Sequence, residues 1–227
     1  MHNLFKRDKM AESFIVAMLL ALVGGYLDIY CYLARGKVFA NTQTGNLILL
    51  GYNIAQGNMN KVIYYLFSIF SFMGGVCSAK YIEYKFKEGK HFYWLHITLC
   101  IEMIALFIVM FIQEGRLNVI ANVIVSFVCG LQVQSFRKVN GKAYSTIMFT
   151  GNLKNLADQF SHYFITREKE SLENGSIYLG VTLAFVIGGW LGALTTDEYG
   201  IKAVGLANII LLVVFIVLYQ EKHKVRD

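Results

Sequence analysis

Six apolar runs, residues 13–34, 62–79, 92–112, 117–136, 177–194 and 200–219, follow one another through the chain. Each is about 20 residues long, enough for a helix to cross a hydrocarbon core of roughly 30 Å. Lipid offers no partner to a backbone N–H or C=O, so a spanning segment must satisfy its own hydrogen bonds, as a helix does. The pattern therefore predicts an all-α, polytopic integral membrane protein with six transmembrane helices in a single membrane domain over residues 1–227. Charged residues make up only 16% of the chain and apolar ones 56%, which leaves little sequence for a soluble domain. With no proline present, any break in a helix must come from Gly, Asn or Ser. The first run carries Asp28 and is too long for a signal-peptide core, although Val38-Phe39-Ala40 imitates a cleavage site; it reads as a retained first span.

The net charge of +6 does not point to nucleic acid, because the basic residues sit at the ends of apolar runs, where they report topology. Sixteen of the 21 Lys and Arg residues fall on one side: Lys6, Arg7 and Lys9; Lys80, Lys85, Lys87 and Lys90; Arg137, Lys138, Lys142, Lys154, Arg167 and Lys169; Lys222, Lys224 and Arg226. The other side holds Arg35, Lys37, Lys61, Arg116 and Lys202. The excess places both termini in the cytoplasm and the chain in the plasma (inner) membrane. Aromatic residues mark several boundaries, among them Tyr64, Tyr65, Tyr81, Tyr84, Phe92, Tyr93, Trp94 and Tyr219. Cys31, Cys77, Cys100 and Cys129 lie in apolar runs without metal-ligand spacing and read as small buried hydrophobes.

One tripeptide occurs twice. Thr44-Gly45-Asn46 and Thr150-Gly151-Asn152 are 106 residues apart, each after a long apolar run. The same offset pairs Gly24 with Gly130, Asp28 with Gln134 and Leu47 with Leu153. Eight further residues in the second copy then pair Gly74-Gly75 with Gly188-Gly189 and Ala79 with Ala193. A unit of three spans must re-enter the membrane from the opposite side, so this reads as a 3+3 inverted repeat, about 13–112 and about 117–219. Each tripeptide is expected to open a short broken or re-entrant helix, over 47–55 and 153–164, with threonine as the N-cap, glycine allowing close approach and asparagine supplying a donor and an acceptor. The second of these is amphipathic, with Lys154, Asp158 and His162 opposite Leu156 and Phe160, so it lies either in the membrane or along its surface. Ser68, Ser71, Gly75 and Ser78 in the second span, and Gly180, Ala184, Gly188 and Gly192 in the fifth, form small-residue ladders suited to close helix packing.

The stretch Gly24-Gly25-Tyr26-Leu27-Asp28, continuing through Gly36, Phe39, Ala40 and Asn41 to Thr44-Gly45-Asn46, resembles the YoaK-like family of bacterial membrane proteins, as does Gly130-Leu131-Gln132 with Thr150-Gly151-Asn152. The resemblance extends over nearly all of the chain. It implies a six-span inner-membrane protein without an assigned activity, and it transfers no site residues.

Ionisable and polar residues inside the spans are the candidates for function, since a charge at mid-bilayer is costly. Asp28 should face the bundle interior, with Arg35 two turns later as a local partner or a solute path as the alternative. Glu102 raises the same question without a surrounding motif. In the fourth span Asn118, Asn122, Ser126, Gly130 and Gln134 recur every four residues, a seam that either lines a path or bonds neighbouring helices; Gln132 lies off it. The expected substrate path is Asp28, Thr44, Gly45, Asn46, Gln132, Gln134, Thr150, Gly151 and Asn152, with Glu102, Asn122 and Arg35 as secondary candidates. No catalytic residue, metal site or cofactor signature is legible. The function read from these features is a small transporter or channel for a small polar solute, with coupling to protons left open. A non-transporting scaffold, sensor or accessory subunit is the alternative, and a lipid-modifying enzyme the third. Expected partners are the lipid bilayer and the solute; no nucleic acid is expected, and self-association stays open.

Overall fold

A computed structural model describes residues 12–86, 94–144 and 149–224. Lys6, Arg7, Lys9, Lys87, Lys90, Phe92, Tyr93 and Arg226 lie outside the described residues. The elements are α1 (Phe14–Ala34), α2 (Gln43–Ala55), α3 (Met59–Phe86), α4 (Trp94–Val109), α5 (Asn118–Ser135), a two-strand hairpin of β1 (Lys138–Val139) and β2 (Lys142–Ala143), α6 (Phe149–Thr166), α7 (Lys169–Tyr199), a 3-10 turn (Gly200–Ala203) and α8 (Val204–Lys224). Among the described residues, four segments are long and apolar enough to cross a membrane: α1, α3, α5 and the 52 residues Lys169–Gln220, which contain all of α7 and most of α8. With 16 residues, α4 is apolar but shorter. The chain is an all-α, polytopic membrane protein.

Glycine sets the closest helix crossings. A methyl group on Gly25 would run into the carbonyl oxygen of Phe185, and one on Gly188 into that of Leu22. The same holds for Gly75 against Phe127 and for Gly130 against Phe72. Only a residue without Cβ lets two backbones meet this closely. These crossings also give direction. Phe14 lies at Gly180, Leu22 at Gly188 and Ile29 at Gly192, so α1 and α7 run parallel. Ser71 Oγ donates to Val123 O at 2.6 Å and Glu83 pairs with Arg137 at 3.2 Å, so α3 and α5 run parallel. Asn122 Nδ2 donates to Arg35 O at 2.6 Å and Gln132 Nε2 to Leu20 O at 3.0 Å; α5 therefore opposes α1. Gly200, at φ 56°, ends α7 and lets the chain reverse. From there α8 runs back along α4, with Gly205 at Met110 and Phe215 against His96. Thus α1, α4 and α7 point one way and α3, α5 and α8 the other, and the chain enters α1 and leaves α8 at the same end.

Two expectations about extent change here. The helices α3 (28 residues) and α7 (31 residues) outrun their apolar windows. Their polar turns have partners: Glu83 holds Lys80 and Arg137, and Ser171 meets His162. The fold also includes a short hairpin. Asn140 and Gly141 both have positive φ, the requirement of a tight two-residue turn, and their N–H groups donate to Glu12 O (2.7 Å) and Glu12 Oε2 (2.9 Å).

Candidate functional site

After α1 the chain doubles back into the bundle. Arg35 lies at the end of α1, yet Asn41 Nδ2 donates to Gly24 O at 2.8 Å. Gly24 is the middle residue of α1, eleven residues or about 16 Å below Arg35 along the helix. From that depth α2 climbs back for 13 residues, about 20 Å. The connection at 36–42 thus descends half the height of the bundle, and α2 is a half-length helix whose N-terminus is interior.

Asp28 receives that N-terminus. Its Oδ1 accepts from Asn41 N–H at 2.7 Å and Thr42 N–H at 3.4 Å, and its Oδ2 from Thr42 Oγ1 at 2.6 Å. A carboxylate here satisfies donors that have no intrahelical partner and meets the positive end of the α2 dipole. The expected Asp28–Arg35 interaction does not form. Arg35, 0% exposed, donates from Nε to Tyr30 Oη (2.9 Å), from Nη2 to Val109 O (2.9 Å), and from Nη1 to Ile112 O (2.8 Å) and Asn118 Oδ1 (3.4 Å). The partners of this cation are the carbonyl end of α4 and the α5 start. Asp28 and Arg35 are separated because each finds a helix terminus of opposite dipole sign.

The first tripeptide is not the cap it was expected to be. The helix begins at Gln43, with Thr42 before it, and Thr42 spends its hydroxyl on Asp28. Thr44 is exposed in the first turn. Gly45 lies under the Phe39 ring, where a Cβ would come within 3.2 Å. Asn46 is buried and is the residue that locks the descending connection. Its Oδ1 accepts from Phe39 N–H at 3.1 Å, and its Nδ2 donates to Phe39 O (2.7 Å), Gln43 Oε1 (3.0 Å) and Ser68 Oγ (3.2 Å). Ser68 Oγ in turn meets Ser126 Oγ at 2.7 Å, near the middle of α5. Ser68 of the second-span ladder and Ser126 of the fourth-span seam are therefore hydrogen-bonded across α3 and α5 and join the site; bonding neighbouring helices is one of the two roles expected of the seam, whereas Ser68 is expected only as a packing residue.

The second tripeptide begins α6 in the same fashion, within the first turn of a helix that starts at Phe149. Thr150 and Gly151 are exposed and Asn152 is buried. The Phe149 ring packs tilted against Phe185 with centroids 4.0 Å apart, and the Phe185 backbone lies against Gly25, so α6 also begins at the middle height of α1. It then descends along the first half of α7: Gln159 meets Asn174 at 3.2 Å, and His162 meets Ser171 at 2.9 Å. These contacts fall in the polar start of α7, before its apolar run at residue 177.

The remaining candidates divide. Gln132, 1% exposed, is the buried glutamine of α5, and its partner is Leu20 O; Gln134, the residue aligned with Asp28, is only partly buried. Asn122 supports Arg35 O and leaves its own Oδ1 buried without a partner, as does Asn41. Glu102 is 0% exposed with neither oxygen hydrogen-bonded. Among the described residues no group of His, Cys, Asp and Glu is arranged to hold a metal ion. Among the described residues, two open apolar grooves of 520 and 360 Å³ run along α4 and α8 around Phe107, Asn208 and Ile209, the larger reaching Thr195 and Tyr199 of α7, with no residue of α1 or α2 in their walls.

Comparison with known proteins gives a family and no activity. The family model described as "Protein of unknown function (DUF1275)" matches residues 16–217. The UPF0700 transmembrane protein YoaK of Bacillus subtilis (strain 168) is 24% identical over 186 residues, covering 80% of this chain and 83% of that protein. No solved structure matches.

Proposed function

The chain belongs to the DUF1275 family, for which no activity is assigned, and from that premise we propose that it is a small transporter or channel for a small polar solute, built as a six-span 3+3 inverted repeat. One observation carries the reading: α2 (13 residues) and α6 (18 residues) both begin at the middle height of α1 and leave toward opposite ends. Backbone that ends a helix in mid-membrane is tolerated where protein or water satisfies it, and paired half-helices of this kind are how many transporters build a site at the midplane. The repeat is further supported by the parallel pairs: α1 crosses α7 at Gly25 and Gly188 as α5 crosses α3 at Gly130 and Gly75.

The path lies between α1 and α5, flanked by the α2 and α6 starts. The unpartnered carbonyl oxygens of Asn41 and Asn122 each call for a donor from water or solute. Asp28 occupies the N-terminus of α2 with its own negative charge, which favours a neutral or cationic solute there over an anion. Both termini are cytoplasmic in this reading, since the end shared by α1 and α8 also carries Lys80, Arg137, Lys138, Arg167 and Lys169.

Reconstitution tests it. Proteoliposomes are shrunk osmotically with urea, glycerol, ammonium or acetate, and re-swelling is followed by light scattering. The expected outcome is selective re-swelling with one class of solute, altered by Asp28→Asn in protein that stays folded. Permeability equal to protein-free vesicles for every solute would remove the proposal. A non-transporting scaffold is the second reading. It is favoured by the way Asp28 and Asn46 spend their hydrogen bonds inside the fold, and it predicts that result.

A further inference from the structure

Glu102 stands apart from every other buried acid. It lies at the centre of α4, is 0% exposed, and neither carboxyl oxygen has a hydrogen-bond partner. Asp28, by contrast, accepts from two backbone N–H groups and a hydroxyl at a helix N-terminus. Glu83 is committed to Lys80 and Arg137.

Among the described residues, the groups packed around α4 offer Glu102 no counter-charge. From α3, Lys80, Glu83 and Lys85 fall in its last two turns, with Lys80 and Glu83 paired, and Cys77 is exposed. From α5, Cys129 is the ionisable side chain within electrostatic reach of Glu102, and Cys31 and Asp28 on α1 act on that same cysteine. From α8, Ala207, Leu211 and Val214 are buried and apolar, and Asn208 is uncharged with a buried Oδ1 that has no partner. On α4 itself, His96 is six residues away against Phe215 and Tyr219. Arg35, beyond the other end of α4, has its donors engaged by Tyr30, Val109, Ile112 and Asn118. An ionised carboxylate in such a setting has neither cation nor dipole to replace its lost hydration, a cost that neutralisation avoids.

We propose that Glu102 is a proton-binding site, a carboxylic acid carried neutral in the core of the bundle at physiological pH. The two acids of the core then hold different forms: Asp28 is stabilised as the anion by α2, and Glu102 is the neutral acid. Any rearrangement that brings water or a cation to α4 releases this proton, so two conformations that differ there differ by one bound proton. This site stands on the geometry of α4 and does not need the transport reading.

Infrared spectroscopy of the full chain in lipid, in mildly alkaline buffer, reads the proposal directly. Exposed carboxyls are ionised there, and a neutral acid gives a separate carbonyl band that moves in heavy water. The expected result is such a band in the unmodified protein and in Asp28→Asn, and its loss in Glu102→Gln. No band in the unmodified protein, or a band that survives Glu102→Gln, overturns the proposal. If Glu102→Gln does not fold, glutamate labelled with carboxyl ¹³C replaces it: the band must shift, and an unshifted band assigns the proton to an aspartate and overturns the proposal. Stabilisation by sodium with no carbonyl band would instead make Glu102 a cation-bound carboxylate, which also overturns it.

Discussion

Two pairs of adjacent glycines give the sharpest test of how these helices cross. In α3, a Cβ on Gly75 would meet the carbonyl oxygen of Phe127, with Leu131 N at 2.9 Å and Phe127 C at 3.0 Å; on Gly74 the nearest atom would be Phe127 Cδ2 at 3.9 Å. Ordinary contact begins at 3.4 Å, so Gly75→Ala forces α3 away from the Phe127 carbonyl by well over half an ångström, along a crossing made of backbone, which has no rotamer to yield. Overpacking of this kind costs about 1–3 kcal/mol. Alanine for glycine in a helix returns about 0.8–1 kcal/mol wherever space allows. Gly74→Ala should therefore be neutral or stabilising and Gly75→Ala destabilising, a difference of about 2 kcal/mol between neighbouring positions. For a chain of this size that is about 4–8 °C in Tm, readable by tryptophan fluorescence during thermal unfolding of purified protein in detergent. The second pair repeats the experiment. Gly188 would place its Cβ 2.8 Å from Leu22 C, whereas Gly189 meets only Gly25 O at 3.9 Å; Gly188→Ala should destabilise and Gly189→Ala should not. Equal effects within each pair, or the reverse order, would refute the close backbone crossings at Gly75 and Gly188.

Three further outcomes are expected. Arg35→Met should cost about 2–4 kcal/mol, because Val109 O and Ile112 O lose their donor in the interior; hydrogen exchange should show the last turn of α4 opening first. Ser68→Ala and Ser126→Ala should each cost about 1 kcal/mol, and the double variant less than their sum, since the two hydroxyls share one hydrogen bond; strict additivity would mean they do not meet. Single cysteines at Gln56 and Arg116 should react with an impermeant thiol reagent from one side of the membrane and a cysteine at Lys169 from the other, and labelling of Gln56 and Lys169 from the same side would remove the inverted repeat.

Much of the architecture is legible in the chain because a hydrocarbon solvent imposes simple rules. Apolar runs of a given length, small residues at helical spacing and an interior acid each have few solutions in lipid, so the apolar helical character, the small-residue crossings and the burial of Asp28 could be read without coordinates. Partners could not. Asp28 and Arg35 are seven residues apart in one helix and opposite in charge, and pairing them was the local solution. The fold instead brings the start of α2 to one and the end of α4 to the other, and a helix terminus with several aligned donors or acceptors outcompetes a single flexible side chain. For the same reason the Thr-Gly-Asn tripeptides fall in the first turns of α2 and α6, but the first was misassigned as a cap: Thr42, two residues earlier, takes the carboxylate, and Asn46 locks the descending connection through Phe39 and Ser68. Sequence alone determined that the chain must lie in lipid and where its polar residues would be costly. Which of those costs is relieved, at Asp28 and Arg35, and which is left standing, at Glu102, was decided by tertiary contacts, because a hydrogen bond depends on distance in space and carries no trace of separation along the chain.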